Sequence, residues 1–253
     1  MTYCVGMMLD RGLVLMSDTR TNSGVDNIST FRKMFTWSVP GERMIAMMTA
    51  GNLATTQSVV SQLEERSKLA TDRKPSILEA PTMFQVATLV GKLLSDTIEA
   101  VPAIGDVAAS TFTASMILAG QIKGGEPRLF LIYPEGNFIE ASFDTPFFQI
   151  GETKYGRPIL VRGYDRGMTF EDAIKLMMVS FDSTLAANLS VGLPFDLLAV
   201  ERDAFAPAHQ RRILADDPYY RLISSSWSAA LRSAFHSLPD YSLDHPEAPR
   251  PQA

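Results

Sequence analysis

Short apolar runs separated by polar turns fill the first fifty residues, and this pattern is typical of antiparallel strands. An Asp-Arg-Gly turn at 10–12 joins the first two runs, and a turn of this kind between apolar runs favours a hairpin. The polar stretch 21–30 is predicted to be a loop. The pattern therefore predicts an antiparallel meander, with strands at 2–9, 13–20, 33–39 and 44–50.

Beyond residue 51 the apolar positions recur every three or four residues, which indicates helices between further strands. Asn52 is placed to cap the first helix, and Thr169 with Asp172 resembles a capping box before a later one. Gly156 and Pro158 interrupt another of the helical segments. Helices are predicted at 52–69, 82–101, 153–163, 169–187 and 218–235, and strands at 115–122, 128–133, 137–140, 147–150 and 195–201.

This order of elements predicts an α+β fold. Two antiparallel sheets, each with one face left to cover, can stack face to face with helix pairs outside them. The result is a four-layer αββα sandwich. We assign residues 1–215 to this domain and residues 216–253 to a C-terminal helical extension with a tail. The tail, from Leu238 onward, carries four prolines among polar residues.

Composition and charge narrow the class of protein. Hydrophobic residues make up 46% of the chain and charged residues 20%, as in ordinary soluble globular proteins. No apolar run reaches the roughly 18 residues of a membrane span, and Asp10 and Arg11 interrupt the N-terminal run too early for a signal peptide. The basic residues are scattered and the net charge is −5, which argues against nucleic acid as a partner. We expect a cytoplasmic protein without a membrane partner, and the three late histidines lack the spacing of metal ligands.

The second residue of the chain is a candidate nucleophile. Methionine aminopeptidases remove Met1 when the next residue is small, so we expect a mature chain that begins at Thr2, with no prosegment to shield it. Its α-amine titrates near pH ~8 and can take the hydroxyl proton as a general base. The alternative nucleophile is Cys4, which is the single cysteine but has no histidine in a supporting place.

Two charged residues can support this threonine. In the predicted meander, the start of the first strand, the end of the second and the start of the third share one edge, so Thr2, Asp18 and Lys33 converge. A lysine ammonium would lower the pKa of the hydroxyl and keep the α-amine unprotonated. The carboxylate would hold the lysine and offset its desolvation. In the alternative interpretation, Asp18 and Lys33 are a turn residue and a surface charge.

The N-terminal region also carries several motifs in a fixed order. They are an N-terminal threonine, a hairpin ending in Ser-Asp-Thr-Arg, a lysine about thirty residues on, and Met-Met-Thr-Ala-Gly-Asn at 47–52. Together they resemble the proteasome β-subunit family, most of all its bacterial Anbu (ancestral β-subunit) branch, over roughly residues 2–215. The resemblance implies an Ntn-hydrolase fold with Thr2 as nucleophile, Asp18 and Lys33 as its supporting pair, and the Gly51 N–H in the oxyanion hole.

The resemblance also points to supporting positions where this chain departs from the family. Proteasomes have a Gly-Ser-Gly segment whose serine supports the N-terminal amine, and this chain has Glu152 and Thr153 after the first glycine. A carboxylate beside the amine would raise the pKa of that amine. The family's later aspartate corresponds to Asn188, with Ser190 close by. The spacing from Thr2 to the lysine is one residue shorter than usual, which the loop at 21–31 can absorb.

By resemblance, the specificity pocket is lined by three neutral residues, Thr21, Thr49 and Leu53, which argues against a preference for charged side chains. The implied function is a threonine-type peptidase that acts on peptides or unfolded polypeptide, without a cofactor, inside a ring or helical homo-oligomer. The apolar helix at 218–235 is expected to pack on a neighbouring subunit or on its own core.

Two alternatives remain open at this point. The first is an Ntn amidase for a small molecule, which a monomer or dimer with an open pocket would favour. The second is a non-catalytic scaffold, which the glutamate in place of serine leaves open. The sequence identifies no ATP-dependent unfoldase and no natural substrate.

Overall fold

Two stacked antiparallel sheets form the centre of the molecule. The computed structural model describes residues 2–22, 28–68, 75–100 and 112–241. Within these ranges the strands are β1 (Tyr3–Leu9), β2 (Gly12–Asp18), β3 (Arg20–Asn22), β4 (Ile28–Thr30), β5 (Met34–Val39), β6 (Arg43–Gly51), β7 (Ala114–Ile122), β8 (Arg128–Ile132), β9 (Phe138–Glu140), β10 (Phe147–Gly151), β11 (Phe195–Glu201) and β12 (Pro207–Ile213). The helices are α1 (Leu53–Lys68), α2 (Met83–Glu99), α3 (Arg157–Gly163), α4 (Phe170–Ala187) and α5 (Pro218–His236).

The first sheet has the strand order β10-β1-β2-β11-β12, and the second has the order β5-β6-β7-β8-β9. Every pairing in the two sheets is antiparallel. The short strands β3 and β4 pair with each other as a separate two-stranded sheet. In the sequence they come after β2 and before β5. None of the described helices is both long enough and apolar enough to cross a membrane.

Three apolar cores hold the layers together. Tyr3, Val5 and Met7 of β1 face outward into a core with α3, α4 and the start of α5. The residue between the first two, Cys4, faces inward into a core shared by the two sheets. A third core joins the outer face of the second sheet to α1 and α2. The predicted α+β fold, a four-layer αββα sandwich, is thereby confirmed.

Helix starts follow the capping residues in the sequence. The Asn52 side chain accepts a hydrogen bond from the Thr55 N–H at 3.1 Å, which begins α1. The Thr169 hydroxyl accepts from the Asp172 N–H at 3.1 Å and begins α4. Both caps were predicted from the sequence, and both are confirmed. The capped end of α1 is important for the site because α1 follows directly from the end of β6.

The prediction of a single meander was wrong. β2 pairs with β1 and β11, whereas β5 pairs with β6 in the other sheet. A central strand that is buried on both faces appears in the sequence as a continuous apolar run. Such a run predicts a strand but does not indicate which sheet the strand joins. Part of the predicted loop at 21–30 also forms the β3–β4 hairpin.

Three further differences concern the C-terminal half. The predicted helix at 153–163 is shorter, since α3 begins at Arg157, next to Pro158 in its first turn. The strand β12 was not predicted, because it is an edge strand whose residues are exposed except for Ile213. Most of the predicted proline-rich tail lies outside the described residues, and the domain boundary at residue 215 stays a prediction.

Candidate active site

Strand ends from both sheets meet at one edge of the sandwich. β1 begins there and β10 ends there in the first sheet, and β5 begins and β6 ends there in the second. A cavity of about 480 Å³ lies at this edge. Its lining residues come from these strand ends, the β3 strand and the first turn of α1: Thr2, Thr21, Lys33, Thr49, Ala50, Gly51, Asn52, Leu53, Thr56 and Gly151.

Behind the cavity lies a buried ion pair. The Lys33 ammonium donates to Asp18 Oδ1 at 2.7 Å and to the carbonyl oxygen of Arg20 at 2.6 Å. Asp18 is fully buried and Lys33 is 4% exposed, yet Lys33 still lines the cavity. Burial raises the pKa of the Asp18 carboxyl, and the Lys33 charge acts in the opposite direction. The pair therefore keeps a fixed cation beside Thr2 with its countercharge out of the cavity.

The start of β1 is held at both its backbone and its side chain. The Tyr3 N–H donates to Asp18 Oδ1 at 3.0 Å, so one carboxylate oxygen positions both the lysine and the residue after Thr2. The Tyr3 hydroxyl lies 2.7 Å from the Ser180 hydroxyl on α4 and accepts from the Gln149 amide at 2.6 Å. Burial raises the pKa of Tyr3 to about 12, so its hydroxyl stays protonated at neutral pH. These bonds fix the position from which Thr2 extends.

Thr2 lies opposite the end of β10. The Glu152 N–H donates to the Thr2 carbonyl oxygen at 2.6 Å. Gly151 has a φ of +83°, and a Cβ there would come within 1.9 Å of the same carbonyl oxygen. Only glycine fits at this position, because any side chain would overlap the backbone of Thr2. β10 can therefore approach Thr2 closely on the side away from Asp18.

Gly51 ends β6 at the mouth of the cavity. The Thr49 N–H donates to the Lys33 carbonyl at 3.0 Å on the β5 side, and the Asn52 N–H donates to the Thr113 carbonyl at 2.9 Å on the other. Alternation along an antiparallel strand therefore places the Gly51 N–H on the β5 side, beyond the first residue of β5. Its φ of +113° and a Cβ position 2.4 Å from the Thr113 oxygen require glycine. Gly51 lines the same cavity as Thr2 and Lys33.

The supporting residues form a cluster beside Thr2 rather than in the cavity. The Glu152 carboxylate accepts from the Asn188 amide at 2.9 Å and from the Lys154 N–H at 3.4 Å. Asn188 Oδ1 in turn accepts from the Ser190 N–H at 2.9 Å, which fixes the amide at the end of α4. Thr153 is half-buried and follows Glu152 directly. The structure therefore brings Glu152, Asn188 and Ser190 together, and joins them to Thr2 through the backbone of Glu152.

The three predicted pocket residues all line the cavity, together with one that the sequence analysis missed. Thr21, Thr49 and Leu53 come from β3, β6 and α1. Thr56 is the additional residue, and its hydroxyl donates to the Leu53 carbonyl at 3.0 Å. It lies three residues after Leu53, so the two share one face of α1. The helical period could have identified it from the sequence.

Cys4 has a different environment from Thr2. It is fully buried in the core between the sheets, and its thiol donates to the Thr49 carbonyl at 3.8 Å. Burial raises the pKa of this thiol well above its ordinary value. A protonated, inaccessible thiol is a poor nucleophile. Cys4 therefore acts as a small core residue.

Comparison with known proteins defines the class. A protein-family model described as "Proteasome subunit" matches residues 2–192. A "Proteasome subunit beta" from Methanopyrus kandleri is 24% identical over 205 residues, which are 80% of this chain and 88% of that protein. Because the family model covers more than half of the chain, the chain belongs to the proteasome subunit family.

Solved structures define the branch. Anbu (ancestral beta-subunit) from Yersinia bercovieri is 45% identical with a TM-score of 0.89, over 96% of this chain and 99% of that one. Anbu from Hyphomicrobium sp. strain MC1 is 48% identical with a TM-score of 0.87, over 96% and 100%. A helical assembly of the Anbu complex from Pseudomonas aeruginosa is 44% identical with a TM-score of 0.89, and the match covers 96% of this chain and 100% of that one. The chain falls in the Anbu branch, which confirms the resemblance noted in the motifs.

Proposed function

We propose that this chain is a threonine-type peptidase that hydrolyses peptide bonds through the hydroxyl of Thr2. One observation carries the proposal: Thr2, Lys33 and Gly51 line a single cavity, and Asp18 holds the lysine from behind. A nucleophile, a cation that lowers its pKa and an oxyanion donor are the components that acyl transfer needs. The membership in the proteasome subunit family supports the same reaction class.

Each step of the mechanism has a residue in this arrangement. The α-amine of Thr2 takes the hydroxyl proton, directly or through a water molecule, and the hydroxyl oxygen attacks the substrate carbonyl carbon. The carbonyl oxygen becomes an oxyanion and accepts a hydrogen bond from the Gly51 N–H. The protonated amine then gives its proton to the leaving amine as the peptide bond breaks. Water hydrolyses the resulting ester and frees Thr2.

The Glu152 cluster has the supporting role in this mechanism. The Asn188 amide donates to the Glu152 carboxylate at 2.9 Å, so this carboxylate already has a partner at the end of α4. The Ser190 N–H donates to the side-chain oxygen of Asn188 and so orients this amide. Thr153, the residue after Glu152, carries a hydroxyl and is the other candidate for the supporting role.

Two alternatives are distinguished by different observations. A small-molecule amidase would work as a monomer or dimer and would not bind extended peptides. A non-catalytic scaffold would assemble but would not react with any reagent that targets an N-terminal threonine. The predicted cytoplasmic location is compatible with the peptidase, the amidase and the scaffold alike. None of the three functions identifies an unfoldase partner.

The first test is the mass of the intact protein after expression without an N-terminal tag. We expect a mass that corresponds to loss of Met1, because the mechanism needs the free α-amine of Thr2. A Thr2→Leu variant is the control, since a large second residue blocks methionine removal and should retain Met1. Full retention of Met1 in the unmodified protein would remove the general base and with it the mechanism.

We further propose that the protein is a homo-oligomer of many subunits. The helix α5 is capped by Asp217 and packs against its own chain through Tyr220, which lies against Phe195. The remainder of α5 and the residues after it carry large apolar side chains that are half exposed or more: Leu222, Leu231, Phe235, Leu238 and Tyr241. A second copy of the chain would cover this surface. The relative from Pseudomonas aeruginosa, which is described as a helical assembly, supports this proposal.

Light scattering coupled to gel filtration tests the assembly. We expect a mass many times that of one chain at micromolar concentration. Removing residues 216–253 should reduce the mass to that of small species, because the apolar surface of α5 is lost. A double variant, Leu222→Asp with Phe235→Asp, tests the same surface in the full chain. A mass of one or two chains for the intact protein would contradict the proposal. Unchanged assembly of the truncated chain would show that α5 has no role between subunits.

A further inference from the structure

A chain of hydrogen bonds runs through the core between the first sheet and the helices that cover it. The Gln149 amide donates to the Tyr3 hydroxyl at 2.6 Å, and the Ser180 hydroxyl donates to the Gly156 carbonyl at 3.1 Å. Because the hydrogen of Ser180 is used in this way, its oxygen accepts from the Tyr3 hydroxyl at 2.7 Å. We call these four linked groups the hydroxyl chain.

The hydroxyl chain joins elements whose ends position the candidate site. Tyr3 is the first residue of β1 and follows Thr2 directly. Gln149 belongs to β10, which ends at Gly151 against the carbonyl oxygen of Thr2. Ser180 lies on α4, whose C-terminal end reaches the cluster of supporting residues. A single tyrosine hydroxyl therefore connects the start of β1 to the two elements that pack beside Thr2.

The Tyr3 hydroxyl is the central member of this chain. Tyr3 and Ser180 are fully buried, and within the described ranges no residue donates a hydrogen bond to Gln149 Oε1. The Gln149 amide is therefore held through its bond to Tyr3. Without the tyrosine hydroxyl, a buried amide and a buried serine would each lose a partner, and a partly satisfied buried network is costly. We expect β1 and β10 to shift so that these groups find other partners.

The space around the two hydroxyls is tight. A Cβ at Gly156 would come within 2.2 Å of the Tyr3 hydroxyl oxygen and 2.3 Å of the Ser180 hydroxyl oxygen. The φ of Gly156 is −85°, which any residue adopts, so the lack of space rather than the backbone conformation requires glycine here. The missing side chain lets the start of α3 approach closely enough to accept the bond from Ser180.

We infer that Tyr3 and Ser180 are positioning residues of the reaction, which set the place of Thr2 relative to Lys33 and Gly51 through the bond between their hydroxyls. The inference rests on the proposed function, because it assigns a role in the attack by Thr2. Neither positioning residue lines the cavity, so a change in either should leave the binding of a reagent unaltered. A misplacement of about 1 Å can slow a reaction by up to about a hundredfold, so a small shift of β1 is enough.

Two single variants test the inference. Tyr3→Phe keeps the ring and removes its hydroxyl, and Ser180→Ala breaks the same bond from α4 if Tyr3→Phe yields too little folded protein. Labelling of the untagged, assembled protein by a peptide epoxyketone with leucine next to its warhead is followed by intact mass at several reagent concentrations. The half-saturating concentration reports binding, and the rate at saturation reports the attack by Thr2.

We expect the rate at saturation to fall at least about tenfold in each variant, while the half-saturating concentration stays within about twofold. No labelling of the unmodified protein would overturn the proposed function, and the inference with it. Normal labelling of the unmodified protein with an unchanged rate in the folded variants would overturn the inference alone.

Tyr164→Phe is the matched control for loss of a tyrosine hydroxyl. The Tyr164 hydroxyl donates to the Met8 carbonyl at 2.6 Å, so it holds the same strand at the end away from Thr2. Its removal should lower the urea midpoint but keep the rate at saturation within about twofold. A tenfold slower rate in this control as well would mean that any loosening of β1 is enough, and would contradict a specific role of Tyr3.

Gly156→Ala tests the hydroxyl chain without removing any of its groups. The added methyl group must displace both hydroxyls, so we expect the rate at saturation to fall here too. Gly163→Ala, at the other end of the same helix, is the control, because its Cβ would meet the flexible side chain of Leu176 at 2.5 Å. Equal rates at saturation in the two glycine variants would overturn the inference.

The double variant, Tyr3→Phe with Ser180→Ala, shows whether the two hydroxyls act as one unit. Its rate at saturation should lie within about twofold of the slower single variant, because both changes break the same bond. Losses that multiply would show that the two hydroxyls act separately, and the inferred role of their bond would be wrong.

Discussion

A Thr2→Ala variant is expected to lose all covalent labelling by a peptide epoxyketone that carries leucine next to its warhead, while its fold and assembly stay intact. The hydroxyl of Thr2 adds to the ketone and its α-amine opens the epoxide, so the adduct retains the full mass of the reagent. Alanine supplies the amine but no hydroxyl, so the adduct with its two bonds cannot form. Labelling measured by intact mass should fall from complete to undetectable over the same incubation.

Two companion variants identify the groups behind this reaction. Lys33→Ala should also abolish labelling, because the hydroxyl then lacks the neighbouring cation that lowers its pKa. Cys4→Ala should leave the labelling rate within about twofold, since this thiol is buried in the core between the sheets and its pKa is raised. Labelling that survives Thr2→Ala and disappears in Cys4→Ala would show that the cysteine is the nucleophile.

The second large effect is expected from separating the buried ion pair. Asp18→Asn leaves the Lys33 ammonium with a carbonyl partner but no countercharge, and Lys33→Met leaves the Asp18 carboxylate fully buried without a cation. Each single change is expected to lower the free energy of unfolding by about 3–5 kcal/mol, as is usual when one partner of a buried pair is removed. The double variant should lose less than the sum, because no uncompensated charge remains in it.

Urea unfolding at matched protein concentration measures this cycle, with tryptophan fluorescence as the probe, since Trp37 on β5 packs against the core between the second sheet and the helices α1 and α2. The control is the exposed pair Lys92–Asp96 on α2, where the same type of substitution should have little effect because water screens both charges. Additive losses in the Asp18 and Lys33 variants would mean that the two groups act independently. The proposed role of Asp18 as the support of the lysine would then be wrong.

Much of the fold was predictable because local signals and long-range packing agree. The apolar runs predicted the central strands, and Asn52 and Thr169 predicted two helix starts. The assignment of strands to sheets was not predictable in the same way. Since both faces of β2 and β6 are buried, an apolar run identifies a strand but not its neighbour. The sequence of β12 shows no alternation of apolar and polar residues, because all of its residues except Ile213 are exposed at the edge of the sheet.

The site shows the same division between local and long-range information. Motif order along the chain was enough to bring Thr2, Asp18, Lys33 and Gly51 together as candidates, although the reason given from a single sheet edge was wrong. Contacts that join distant segments could not be predicted. The bond from Asn188 to Glu152 spans 36 residues, and that from Tyr3 to Ser180 spans 177. Such contacts depend on how α4 packs on the first sheet, and no local pattern encodes that packing.

The division of the site between two sheets has a consequence for the life of the chain before it is fully folded. Thr2 and Asp18 belong to the first sheet, whereas Lys33 and Gly51 belong to the start and end of adjacent strands in the second. Under the proposed mechanism, a chain whose sheets have not yet docked would have its nucleophile and its cation on separate surfaces. Such a chain would lack the arrangement on which the proposed mechanism depends. We therefore expect the proposed peptidase activity to appear only after the core between the two sheets has closed.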